Sequence, residues 1–141
     1  MAAFNKYNVF VEDLAEKVHN LGADTLKVAL SNTAPNASTH TGLASITEIS
    51  AGNGYTAGGN TASVTSSAQT SGTYKLVLGD PATWTATGGS IGPFRYAVLY
   101  NDTSTSDKLI GWWDYGTSIT LASGESFTVD FDPSSGVLTI A

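Results

Sequence analysis

The sequence predicts a mainly β fold, an antiparallel β-sandwich or jelly-roll-like barrel with one N-terminal amphipathic helix. Short stretches of alternating apolar and polar residues recur along the chain, with turn-rich segments roughly every 8 to 12 residues. Only the first part of the chain shows a helical period. Charged residues make up 13% of the 141 residues, about half the usual share. Gly, Ser, Thr and Asn are abundant, and this composition favours short strands and turns.

The predicted helix covers about residues 5–21. Asn5 is its predicted N-cap, and Gly22 is its predicted C-terminal stop. The apolar residues that recur at helical spacing and form one stripe are Tyr7, Phe10, Val11, Leu14, Val18 and Leu21. We expect this stripe to lie on the domain's own sheet or on a neighbouring chain.

The chain from about residue 25 to residue 140 predicts roughly eight to ten short strands, and residues 1–141 together predict a single β domain. Strands are predicted at 25–31, 43–49, 61–67, 74–78, 82–87, 118–121, 126–131 and 137–140, besides those of a central hairpin. The clearest alternation is that of Phe127, Val129 and Phe131.

The central hairpin is predicted at residues 91–115, the most apolar part of the chain. Tyr96, Val98 and Tyr100 share one face of its first strand, and the other face is also mostly apolar. A strand with one wet face should alternate more cleanly, so this strand is predicted to be covered on both sides. We expect the core on one side and consider another subunit for the other.

Two adjacent tryptophans follow in the second strand of this hairpin. Because successive side chains of a strand point to opposite faces, one of Trp112 and Trp113 is predicted to lie in the core. The other is predicted to contact a neighbouring subunit, since exposed tryptophans are enriched at interfaces. A sugar-binding platform that includes Tyr55 and Tyr115 is the alternative.

Charge and cysteine content exclude several functions. The net charge is −6, and the few Lys and Arg residues are scattered, which argues against nucleic-acid and anionic membrane surfaces. The chain has no cysteine, so disulfides, thiolate metal sites and a nucleophilic thiol are excluded. No secretory signal and no apolar run near the ~20 residues of a membrane span is found, so we expect synthesis in the cytoplasm.

The residues that could perform chemistry form no persuasive site. His19 is expected to be structural or exposed on the helix, and His40 lies in a polar loop without metal-ligand spacing. Asp114, Asp130 and Asp132 offer oxygen ligands for calcium or a carboxylate pair for glycoside hydrolysis, but a solvated acidic face is favoured. We therefore expect no enzyme activity, no cofactor and no metal.

Four glycines lie in residues 52–59. A phosphate-binding loop would need a following helix and usually a lysine, whereas the residues that follow are uncharged and β-prone. A mobile loop, or one held at an interface, is the better interpretation.

Four segments together resemble small structural proteins of tailed bacteriophages: TLKVALSNTAP, ITEISAGNGYTAGG, GPFRYAVLYNDTSTSDKLIGWWDYG and LASGESFTVDFDPSSGVLTIA. The resemblance implies a non-enzymatic virion protein on the capsid surface, a decoration or cement protein that bridges capsid subunits. Its implied partners are the major capsid protein and further copies of itself, as a dimer or trimer. The alternative is a tail-associated or host-glycan-binding module. For an interface we predict Phe10, Leu14, Tyr55, Tyr96, Tyr100 and Trp112.

Overall fold

The structure is a computed structural model that describes residues 2–141, and it confirms the predicted fold class. With 43% strand and 8% helical residues, it is mainly β, and its antiparallel sheets and one short N-terminal helix fit a β-sandwich. Among the described residues, no helix has both the length and the apolar character needed to cross a membrane.

Three antiparallel sheets make up the fold. The larger sheet has five strands in the order β1-β8-β7-β2-β3, a second has three in the order β10-β5-β4, and β6 pairs with β9. The elements are β1 Asn5–Lys6, α1 Asn8–Ala15, β2 Leu26–Ser31, β3 Asn60–Ala62, β4 Val64–Thr70, β5 Thr73–Leu78, β6 Trp84–Thr85, β7 Ile91–Asn101, β8 Lys108–Leu121, β9 Ser126–Phe127 and β10 Leu138–Ile140.

The predicted hairpin is the centre of the larger sheet. Its strands β7 and β8 pair with each other, and β7 also pairs with β2 along the whole of β2. Phe94, Ala97 and Leu99 of β7 point into the main core, which lies between the larger sheet and the two smaller ones. Trp113 of β8 joins them and is 6% exposed. The core therefore forms on one face of this hairpin, as its pattern predicts.

The other face of the hairpin is covered by the same chain. Val98 and Tyr100 on this face are buried with Tyr7 and Ile46, which come from the N-terminal segment and from the long connection after β2. Trp112 packs here on the Tyr7 ring in a tilted arrangement, with 4.6 Å between ring centroids and 50° between ring planes, and stays partly exposed. Trp112 and Trp113 thus lie on opposite sides, as predicted, and residues of the same chain cover much of the face on which we considered a second subunit.

The helix is shorter than predicted, because it ends at Ala15 and not near Gly22. Lys17 adopts a left-handed φ of 66°. The Lys17 N–H then donates to the Leu14 carbonyl (3.3 Å) and the Val18 N–H to the Asp13 carbonyl (2.8 Å), which is the Schellman pattern of a helix end. At the other end Asn5 is not an N-cap, since it pairs with β8 as part of β1.

Two further predicted strands differ from the structure. Residues 43–49 contain a short 3₁₀ turn, Leu43–Ser45, where a strand was predicted. Of residues 126–131 only β9 is paired, because the N–H of Phe131 donates to the Asp80 carboxylate (2.8 Å) and not to a neighbouring strand. Phe131 is still buried in the core, and Phe127 and Val129 pack against it, so the alternating pattern correctly predicted which side chains point inward.

Two tyrosines of this chain hold the glycine-rich segment 52–59 against the larger sheet. The Tyr55 hydroxyl accepts a hydrogen bond from the Leu30 N–H (3.0 Å) and donates one to Glu48 (2.6 Å). The Tyr100 hydroxyl donates to the Gly58 carbonyl (2.6 Å). Gly59 has a φ of 70°, and a Cβ there would lie 1.8 Å from the Val28 carbonyl oxygen. Only glycine fits this close approach.

We expect Gly59→Ala to destabilise the protein more than Gly72→Ala, which serves as its matched control. Both glycines have left-handed φ values, 70° and 86°, so each substitution to alanine introduces about 1–2 kcal/mol of backbone strain. A Cβ at Gly72 meets nothing within 4 Å. Gly59→Ala should therefore lose about 1–3 kcal/mol more unfolding free energy, by the usual cost of overpacking. Urea unfolding measures both, and equal losses would contradict this account of the loop.

Candidate functional site

The structure separates the six residues of the predicted interface into two groups. Phe10, Tyr55 and Tyr100 are buried among the chain's own residues, with exposures of 4%, 2% and 1%. They offer little surface to a partner in this conformation. Leu14 on α1, Tyr96 on β7 and Trp112 on β8 remain partly exposed. For these three the interface stays a prediction.

An apolar depression, which we name the helix groove, lies between α1 and β10 and encloses 560 Å³. Its lining residues are Phe4, Lys6, Phe10, Val11, Leu14, Val137, Leu138, Thr139 and Ile140. Val11 is 52% exposed and Ile140 is 38% exposed, and large apolar side chains are rarely this exposed elsewhere in residues 2–141. Phe10 anchors α1 in the core, so the helix presents Val11 from a fixed position.

A second depression, which we name the aromatic cleft, encloses 210 Å³ between the β7–β8 hairpin and the segment that follows β9. Tyr115 at its edge is 57% exposed and meets the Phe127 ring edge-on, with 5.8 Å between centroids. The other large side chains of its lining are Leu30, Phe94, Arg95, Tyr96, Trp113, Val129, Asp130 and Phe131.

Arg95, which lines the aromatic cleft, forms a bidentate ion pair with Asp114. Arg95 donates from Nε to Oδ1 of Asp114 (2.7 Å) and from Nη2 to Oδ2 (3.0 Å). The Gly116 N–H also donates to Asp114 (2.8 Å). The hydrogen bonds from Arg95, and then that from Gly116, hold the pKa of Asp114 below its ordinary value. Asp114 therefore stays ionised, which suits a hydrogen-bond acceptor and not a general acid.

The three aspartates considered for calcium or glycoside hydrolysis have different surroundings. Asp114 is paired with Arg95, and Asp130 lines the aromatic cleft. Asp132 accepts hydrogen bonds from the Ser134 N–H (2.7 Å) and the Ser135 hydroxyl (2.8 Å), so it stabilises a turn. In the part of the chain that the structure describes, no three His, Asp or Glu side chains are grouped to hold a metal ion.

A buried polar cluster was not anticipated from the sequence. Its centre is Asn101 at the end of β7, which is fully buried. The Asn101 amide donates to Asp24 (2.6 Å) and lies 3.1 Å from Nδ1 of His19. Its carbonyl oxygen accepts from the N–H groups of Thr103 (3.0 Å) and Ser104. This side chain therefore ties the loop after α1 to the turn between β7 and β8.

His19 is the titratable member of this cluster and is only 6% exposed. Since the Asn101 amide donates towards Nδ1, the neutral imidazole carries its proton on Nε2, which has no hydrogen-bond partner among residues 2–141. Burial lowers the pKa of His19, while the nearby carboxylates of Asp13 and Asp24 oppose that shift. His40, by contrast, lies in a loop, where its Nδ1 accepts the Asn36 N–H (3.2 Å).

Comparison with known proteins finds no matching protein family, no matching curated protein and no matching solved structure. The candidate function therefore depends on the surfaces of the β-sandwich, above all on its two apolar depressions.

The lowered pKa of His19 predicts a loss of stability in mild acid. In the unfolded chain the imidazole titrates near its usual pKa of about 6.5, and in the folded protein it titrates at lower pH. Between these values the unfolded state binds more protons, so the unfolding free energy is greatest above about pH 6.5 and falls as the pH drops through that window.

Urea unfolding at a series of pH values tests this expectation. His19→Gln should flatten the dependence below about pH 6.5, whereas the control His40→Gln should keep it. An unchanged dependence in His19→Gln would show that other groups cause the acid sensitivity.

Proposed function

We propose that this chain is a non-enzymatic virion structural protein, a capsid decoration or cement protein that bridges neighbouring capsid subunits. The helix groove is the observation that carries a contact role, because Val11 and Ile140 expose apolar surface in one place. The virion as the location comes from the resemblance of residues 92–116 and 121–141 to structural proteins of tailed bacteriophages.

The helix groove has the properties of a rigid contact site. α1 is fixed before it by the pairing of β1 with β8, within it by the burial of Phe10, and after it by the left-handed Lys17. A partner that covers Val11 and Ile140 gains apolar burial at about 25 cal/mol per Å² without having to order the helix. Many copies on one shell would then multiply a modest affinity.

The surroundings of the titratable groups also support a binding role. Asp114 is engaged by Arg95, Asp132 by a turn and His19 by Asn101. Each of these groups therefore has a structural task, and each is held in one protonation state or one hydrogen-bonded geometry. Proton transfer to a substrate by Asp114 or Asp132 would compete with these contacts, and the His19 imidazole is buried.

The capsid proposal is tested by the occupancy of the protein on the virion, measured by cryo-electron microscopy of particles that carry a variant chain. Val11→Asp places a carboxylate in the helix groove, so we expect at least a tenfold loss of affinity, equivalent to about 1.4 kcal/mol. Tyr115→Asp makes the same change of charge at an exposed aromatic residue outside the groove and should keep full occupancy. Wild-type protein found on the tail, or absent from the virion, would refute the proposal.

A host-glycan-binding module on the phage tail is the second candidate, and the aromatic cleft favours it. Sugar faces stack on exposed rings such as Tyr115, and sugar hydroxyls bond to fixed polar groups such as the Arg95–Asp114 pair.

A glycan array tests this candidate with the same pair of variants in reversed roles. Tyr115→Asp should abolish binding, and Val11→Asp should retain it. Absence of binding by the wild-type protein would count against this candidate and leave the capsid proposal unaffected.

A further inference from the structure

Strand β4, Val64–Thr70, forms an open edge of the three-stranded sheet. It pairs with β5 alone, and residues 65–70 are all exposed. At 7 residues it is longer than the other edge strands of the described sheets, which are β1, β6 and β9 with 2 residues each and β3 and β10 with 3 each. Its backbone is therefore a long row of hydrogen-bonding groups open to an added strand.

The usual protections of an edge strand are weak in β4. Natural edges carry Lys, Pro or inward-pointing charges that prevent pairing with another chain. β4 has the sequence VTSSAQT, and the chain between Glu48 and Lys75 contains no charged residue. A register shift between Val64 and Ser66 disturbs only the first end of the strand. The second part of β4 is both regular and uncharged.

The turn after β4 determines which backbone groups are free. Ser71 and Gly72 have φ values of 50° and 86°, positive at both positions as in a type I′ hairpin turn. In such a hairpin the pair that flanks the turn, Thr70 with Thr73, is hydrogen-bonded. Hydrogen-bonded pairs then alternate with non-hydrogen-bonded pairs along the two strands, so Gln69 and Ser67 belong to non-hydrogen-bonded pairs. Ser67 and Gln69 then direct their N–H and C=O groups away from β5.

We infer that β4 is a self-association edge, at which a second copy of this chain adds its own β4 in antiparallel orientation. Ser67 of each copy pairs with Gln69 of the other around a two-fold axis at Ala68, which provides four backbone hydrogen bonds. Two three-stranded sheets become one continuous sheet of six strands. The outer edges of that sheet are the short β10 strands, so the assembly closes at two copies.

A second copy fits this edge better than a charged peptide does. The chain carries a net charge of −6, so most contacts between two copies bring like charges together. At the proposed axis the small, neutral Ala68 meets its own equivalent, with neutral Ser67 and Gln69 beside it. On the neighbouring strand Lys75, which pairs with Ala68, is already bonded to the Ser134 carbonyl (2.8 Å). This inference uses a surface apart from the helix groove and does not depend on the proposed function.

Light scattering and sedimentation of the purified protein test the inference. We expect the wild-type chain to be a dimer at about 100 μM. Ser67→Pro removes an outward N–H and the exposed Ser67–Tyr74 hydroxyl contact (2.8 Å) but keeps the backbone pairing with β5, so it should produce a folded monomer. Gln69→Lys puts two like charges near the axis and should weaken the dimer at least tenfold. Thr139→Lys adds the same charge at the opposite edge of the same sheet and should leave the dimer unchanged.

Hydrogen exchange of the wild-type chain provides a readout that needs no substitution. The amides of Ser67 and Gln69 should become protected as the protein concentration rises, whereas those of β10 should not. A wild-type monomer at about 100 μM would overturn the inference. A dimer that persists in Ser67→Pro and Gln69→Lys, or one that Thr139→Lys disrupts equally, would also overturn it.

Discussion

The structure depends on the burial of both faces of the β7–β8 hairpin. One face of the hairpin contributes to the main core, which lies between the larger sheet and the two smaller ones. The opposite face is also apolar, and no second sheet packs on it, so other segments of the chain must cover it. Tyr7 and Ile46 supply that cover from distant parts of the chain. The position of α1 follows, because it begins directly after Tyr7. The long connection between β2 and β3 is held against the sheet for the same reason.

Hydrogen bonds of buried polar side chains attach the loops to the larger sheet. A chain with few charges cannot fix its loops with many ion pairs, and only three salt bridges join residues 2–141. Buried hydroxyl and amide groups take that role instead, as Tyr55 does for the glycine-rich segment and Asn101 for the loop after α1. Such groups are costly when unpaired, so each one specifies a single loop conformation.

The fold class and the central hairpin could be predicted from local sequence pattern, because alternation and turn residues report burial directly. The end of α1 could not, since a left-handed Lys17 stops the helix without the glycine that usually marks such a stop. The candidate surfaces were predictable only in part. The pattern places Phe10 and Leu14 on an apolar stripe, but it does not show that Tyr100 is covered by its own chain. The His19–Asn101 contact joins residues 82 positions apart and leaves no local signal.

The helix groove joins two segments that are distant in sequence, residues 4–14 and 137–140. The first segment is held by β1 on β8, and the second by β10 on β5. Both are pairings between segments that are far apart in the sequence, so the groove is complete only when both have formed. A copy in which either pairing is missing lacks one wall of the groove, so a partner that recognises this surface would select molecules with both pairings formed. Recognition through the groove would thereby discriminate against copies in which either terminal segment is unpaired.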